Sequence, residues 1–193
     1  MQRILVTGFD PFGGQKINPA WEAVSRIQKS GIDRMMIPTV YQKAAQTVIA
    51  RAQETKPDAI LLVGQAGGRR FVTPEYMALN MRSCELPDNE GQVFRHQKIV
   101  PDAPDILLTK MPVDALARSL SGAGFPAAVS YSAGTFVCND TYFLTMHALP
   151  ETPVLFVHVP YLPQQALHGE PLMPLETITD ALCALLAAIR AQL

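Results

Sequence analysis

Short apolar blocks alternate with stretches of helical periodicity along this 193-residue chain. Residues 3–7 read as a buried strand. Residues 19–28 follow as a helix, with Asn18 placed to cap it and Pro19 at its first position. A second strand is predicted over 35–40. Apolar residues at Ala45, Val48, Ile49 and Ala52 give 42–54 helical spacing. Residues 59–63 are a third strand, closed by Gly64, and 72–81 an irregular one. Residues 82–111 are polar and proline-rich, with a turn at 87–91. Then come a helix over 113–120, a strand over 127–131, a helix over 139–148 and a last strand over 154–159. The C-terminal helix carries Leu175, Ile178, Leu182, Leu185, Leu186 and Ile189 on one face.

Strands alternating with helices imply an α/β fold with a largely parallel sheet covered on both faces. The length suits one domain, 1–193, with no repeat or linker to divide it. In such folds ligands bind beyond the carboxyl ends of the strands. The unusual residues of this chain fall there: 9–14 after the first strand, Thr39 after the second, 64–68 after the third, 132–138 after the strand at 127, and His158 on the last.

Composition narrows the function. The net charge is −1 and no basic patch stands out, so neither nucleic acid nor an anionic membrane is an expected partner. No apolar run approaches the roughly 18 residues of a membrane span, and the opening residues lack the features of a secretory signal. Cys84, Cys138 and Cys183 make an odd count without a CxxC pair, so neither a disulfide framework nor a zinc site is expected. A reducing cytoplasm fits best.

Cys138 follows a glycine-containing turn and precedes a predicted helix. A thiol there feels the positive end of the helix dipole, which favours thiolate, and nearby free N–H groups offer part of an oxyanion hole. The same position also suits a buried cysteine that only packs. A cysteine hydrolase needs a base, and there are four histidines. His96 and His168 fall in polar loops, and His147 lies towards the far end of the helix after Cys138. His158 sits on a buried strand. It is either a core histidine bonded to backbone or, beside Cys138 on one rim, the base that takes the thiol proton and later protonates the leaving amine. Glu75, in an otherwise apolar stretch, is a candidate to orient the imidazole, or else a surface charge on a strand.

The segments Gly8-Phe9-Asp10-Pro11-Phe12-Gly13-Gly14 and Asn18-Pro19-Ala20 resemble the opening of the type I pyroglutamyl peptidase family, also called pyrrolidone-carboxylate peptidases. Residues 130–139 are similar to that family's nucleophile motif, 156–163 to its histidine motif, 64–80 to its glutamate motif, and 87–91 also match. The resemblance covers essentially the whole chain. It implies a single-domain three-layer α/β/α sandwich, a Glu75–Cys138–His158 triad, no cofactor, no metal, and a homo-oligomer, often a tetramer. The implied reaction removes an N-terminal pyroglutamyl residue from peptides. By the resemblance, Phe9, Phe12, Thr39, Leu86, Phe136 and Val137 line the pocket for the neutral lactam, with Gln65 close by.

Two positions differ from the family's usual pattern. Tyr76 follows the glutamate where a basic residue is usual. Glu85 stands where an arginine is usual, near the reacting carbonyl. An acid there is expected to disfavour the oxyanion unless Arg82 folds back to compensate. Glu85 therefore motivates a second reading, a divergent homologue that binds pyroglutamyl ends or hydrolyses another small amide. A nucleotide-binding oxidoreductase is disfavoured, because the loop after Gly8 lacks GxGxxG spacing and carries Pro11.

Overall fold

Every residue of Ile4–Phe9, Ala59–Gln65 and Val154–Val159 is buried, as strands covered on both faces must be. The computed structural model describes residues 2–165 and 169–193. In chain order the elements are β1 (Ile4–Phe9), α1 (Pro19–Arg26), β2 (Ile32–Ile37), α2 (Lys43–Thr55), β3 (Ala59–Gln65), β4 (Thr73–Glu75), β5 (Met77–Leu79), β6 (Arg82–Cys84), β7 (Phe94–Gln97), β8 (Ile106–Leu108), α3 (Val113–Gly122), α4 (Val137–Ala148), β9 (Val154–Val159) and α5 (Leu175–Arg190). The central sheet runs β2-β1-β3-β9-β4, parallel except for β4, which is antiparallel to β9.

Side chains of a strand alternate between faces, and they divide the core in two. Ile4, Val6, Leu61, Val63, Leu155, Val157 and Val159 pack with α1, α3 and α5. Leu5, Phe9, Ile60, Leu62, Val154 and Phe156 pack with α2 and α4. The result is the expected three-layer α/β/α sandwich. The six apolar residues named for α5 are all buried. Asn18 caps α1, accepting from the Ala20 N–H at 3.0 Å, and its amide donates to the Asp10 carbonyl at 2.9 Å, so one residue starts the helix and fixes the loop after β1.

Four segments differ from the sequence expectation. The strand predicted over 35–40 lies three residues earlier, at Ile32–Ile37. Thr39 is therefore in the loop beyond it. The stretch 72–81 divides: β4 joins the central sheet, and β5 turns away to pair with β8. The polar segment 82–111 holds three short strands, β6 pairing with β7. Residues 127–131 form no continuous strand, only isolated parallel bridges of Ala127 to Val72 and Ser130 to Glu75. A continuous ladder would need an N–H from residue 74, and Pro74 has none. Among the described residues, no helix is long and apolar enough to cross a membrane.

Candidate active site

Alternation along β9 puts Val157 and Val159 towards α1 and α5, and therefore His158 with Phe156 towards α4. The His158 ring lies 4.8 Å from that of Phe156, centroid to centroid. Gly64 of β3 is the register partner of His158, so the two project to the same side. A Cβ built on Gly64 would lie 2.7 Å from the Phe156 ring and 3.1 Å from the Cys138 sulfur. The thiol therefore occupies the space beside His158 that the absent Gly64 side chain leaves open. Cys138 is the second residue of α4, inside its first turn, where N–H groups have no intrahelical acceptor.

Buried polar contacts hold the start of α4 in place. The Asn139 side chain accepts from the Leu79 N–H at 2.8 Å and donates to the Leu79 and Met81 carbonyls. Tyr142 donates its hydroxyl to the Glu75 carbonyl at 3.1 Å. Asp140 accepts from the Gln42 N–H and from Arg82. The helix that carries the thiol is thus fastened to the segment that carries Glu75.

Glu75 is fully buried, and its Oε1 lies 2.7 Å from His158 Nδ1. Burial pushes the Glu75 carboxyl up, but the His158 hydrogen bond and charge, Ser130 and Arg69 outweigh it, leaving Glu75 below its ordinary value. An ionised carboxylate only accepts, so His158 Nδ1 carries the proton and Nε2 has a free lone pair. Burial lowers the His158 pKa, with Glu75 opposing in part. Burial also pushes the Cys138 thiol up to about 12, and the Glu75 charge adds to this. Burial and the Glu75 charge thus oppose the helix dipole at Cys138.

Phe9 is buried against Phe156, and Val137 is fully buried, so both side chains belong to the core beneath. Phe12 packs on Phe136 with centroids 5.8 Å apart, and Tyr41 meets Phe136 edge-on at 5.5 Å. Thr39 is buried and donates its hydroxyl to the Asp10 carbonyl at 3.2 Å. Gln65 accepts from Gln165 at 2.9 Å. Leu86 is exposed.

Glu85 does not face the reacting groups. Its side chain is 86% exposed and pairs with Arg95 at 3.3 Å. Arg82 does not fold back to replace an arginine there. It is buried, bound to Asp140 and stacked over Phe94 at 5.3 Å. His147 lines a groove between α2 and α4 with Gln42 and Leu144, on the far turn of α4 from Cys138. His96 is exposed on β7, and His168 lies outside the described residues. Sequence reasoning did not single out Arg69, whose Nη1 donates to Glu75 Oε1 at 2.6 Å. Its signal was an arginine directly after Gly67-Gly68, six residues before an acid in an apolar stretch.

A family model described as pyroglutamyl peptidase matches residues 2–192. Among curated proteins, the pyrrolidone-carboxylate peptidase of Lactobacillus johnsonii is 43% identical over 197 residues, covering 97% of this chain and 92% of that protein. That of Brevibacillus brevis is 41% identical, covering 94% and 90%. Among solved structures, pyroglutamyl peptidase I of Bacillus amyloliquefaciens superimposes with a TM-score of 0.92 at 38% identity, covering 96% of this chain and 95% of that one. The pyrrolidone carboxyl peptidase of Fervidobacterium islandicum gives 0.93 at 33% identity, covering 99% of each. With a match over nearly its full length in sequence and in fold, this chain belongs to the pyroglutamyl peptidase family.

Proposed function

We propose that this chain is a cysteine peptidase that hydrolyses the amide bond after an N-terminal pyroglutamyl residue, with Cys138 as nucleophile, His158 as base and Glu75 as the acid that orients it. The observation that carries the reading is the buried Glu75–His158 bond next to a thiol lodged over Gly64. His158 Nε2 takes the Cys138 proton as sulfur attacks the carbonyl carbon. The first-turn N–H groups of α4 stabilise the oxyanion. Collapse expels the amine, which leaves with the proton held by His158, and a pyroglutamyl thioester remains on Cys138. Water, deprotonated by His158, then attacks the thioester and releases pyroglutamate and free thiol.

Phe12, Phe136 and Leu86, with Gln65 and the backbone near Thr39 and Val137, form the wall proposed for the lactam, a neutral ring that needs apolar contact and few hydrogen bonds. Glu85 is turned to solvent, which favours the peptidase over the divergent homologue that its sequence position suggested. The same reading carries a homotetramer and a cytoplasmic setting. Three unpaired cysteines support a reducing compartment, and light scattering on the purified chain tests the tetramer against a monomer. The activity test compares a chromogenic pyroglutamyl amide with proline and free amino-acid amides. Turnover of the first alone is the expected result, and equal turnover of the proline amide contradicts the assigned specificity.

A further inference from the structure

Arg69 reaches two parts of the site at once. Its Nη1 donates to Glu75 Oε1 at 2.6 Å and to Thr73 Oγ1 at 2.7 Å, while Nη2 donates to the Ser132 carbonyl at 3.1 Å. Thr73 and Glu75 belong to β4, and Ser132 to the loop that runs into Cys138. The turn before Arg69 is built for this reach. A Cβ on Gly67 would lie 2.4 Å from the Tyr161 ring, and Gly68 has a φ of +83°, a left-handed conformation that glycine adopts without strain.

We propose that Arg69 is a positioning residue: it clamps the Glu75 carboxylate against His158 and ties that carboxylate to the loop carrying the nucleophile. The proposal rests on the cysteine-peptidase reading and deepens it. Glu75 Oε1 is shared between His158 Nδ1 and Arg69 Nη1. A buried carboxylate satisfied only by the imidazole would draw a second proton onto the ring and disable the base. Arg69 stabilises the carboxylate by other means, and its charge adds to burial in lowering the His158 pKa. The charged and titratable groups facing His158 are Glu75 from β4, Arg69 from the turn after β3 and Cys138 from α4 over Gly64. Glu85 and Arg82 are engaged elsewhere, with Arg95 and Asp140. A lysine would keep the positive charge but could not span Glu75 and Ser132 with one planar fork.

The test uses the full chain with Arg69→Gln and Arg69→Lys, each checked for folding by thermal melting. His158 is titrated by NMR of its ring, which needs no activity, and kcat/KM on a pyroglutamyl amide is followed against pH. Arg69→Gln is expected to lower kcat roughly tenfold or more through misplacement of the base, with KM little changed. Both its NMR titration and its acid limb should move up by about half a pH unit or more, because a cation near His158 has been removed. Arg69→Lys should restore the limb and the titration but not the full kcat. A titration and kcat unchanged in Arg69→Gln, or a fall in melting temperature alone, overturns the proposal. Should Arg69→Gln not fold, Arg69→Lys with wild-type kcat overturns it. A wild-type chain without turnover would defeat the peptidase reading, and the NMR titration would still decide the role of Arg69.

Discussion

At the residue scale, the three proposed functional side chains should fail in different ways. Cys138→Ser should abolish turnover, while Cys84→Ser and Cys183→Ser should largely retain it. Cys183 packs against the α1/α3/α5 core. His158→Ala should cost more rate than Glu75→Gln, because an orienting acid does not itself take the proton. His147→Ala and His96→Ala should be nearly silent, since neither side chain reaches the thiol. Steady-state rates on one substrate check the whole set, and a silent Glu75→Gln would reduce the triad to a dyad. The pH profile follows from the same geometry. His158 acts as base only when neutral, and burial lowers its pKa. The acid limb of kcat/KM should therefore lie below about pH 6.5, the ordinary histidine value. A limb well above that value would mean that the Glu75 charge outweighs burial.

At the element scale, the largest change from expectation concerns β6 and the turn after it. Glu85→Arg should alter kcat/KM by less than about fivefold, because the side chain is solvated and its pair with Arg95 is a surface pair worth at most about 1 kcal/mol. Arg82→Ala should destabilise the fold by about 3–5 kcal/mol by leaving Asp140 buried without its partner. Chemical denaturation measures the second and initial rates the first. A large gain in rate from Glu85→Arg would restore the idea that its charge acts on the oxyanion. β9 and α5 were legible in the sequence because one is a continuous apolar block and the other has a clean helical stripe. β2 was displaced because Ile32–Ile37 is a half-exposed edge strand whose polar residues, Asp33 and Arg34, blur the pattern. Residues 127–131 were overread because the sequence does not reveal that Pro74 interrupts their only ladder. The proposed catalytic residues Cys138, His158 and Glu75 could be named from the sequence by type and by family motif. Arg69 was not, because its role exists only once β4 and the 132–138 loop are brought together.

At the scale of the whole molecule, the sandwich places the ends of β3 and β9, the start of α4 and the β4 edge at one rim, and the proposed chemistry draws on all four. Gly64 is the point where they meet. Gly64→Ala would drive a methyl group against Phe156 and the Cys138 sulfur, so it should displace the thiol and cost rate before it costs stability. Activity measured beside a thermal melt separates the two. The central claim is that Cys138 hydrolyses pyroglutamyl amides, and the most direct measurement is turnover of a pyroglutamyl amide by the wild-type chain and by Cys138→Ser, with mass spectrometry of the wild-type protein quenched during turnover. The account predicts turnover by the wild type, none by Cys138→Ser, and a pyroglutamyl adduct on Cys138. Turnover that survives Cys138→Ser, or an adduct on Cys84 instead, would contradict it.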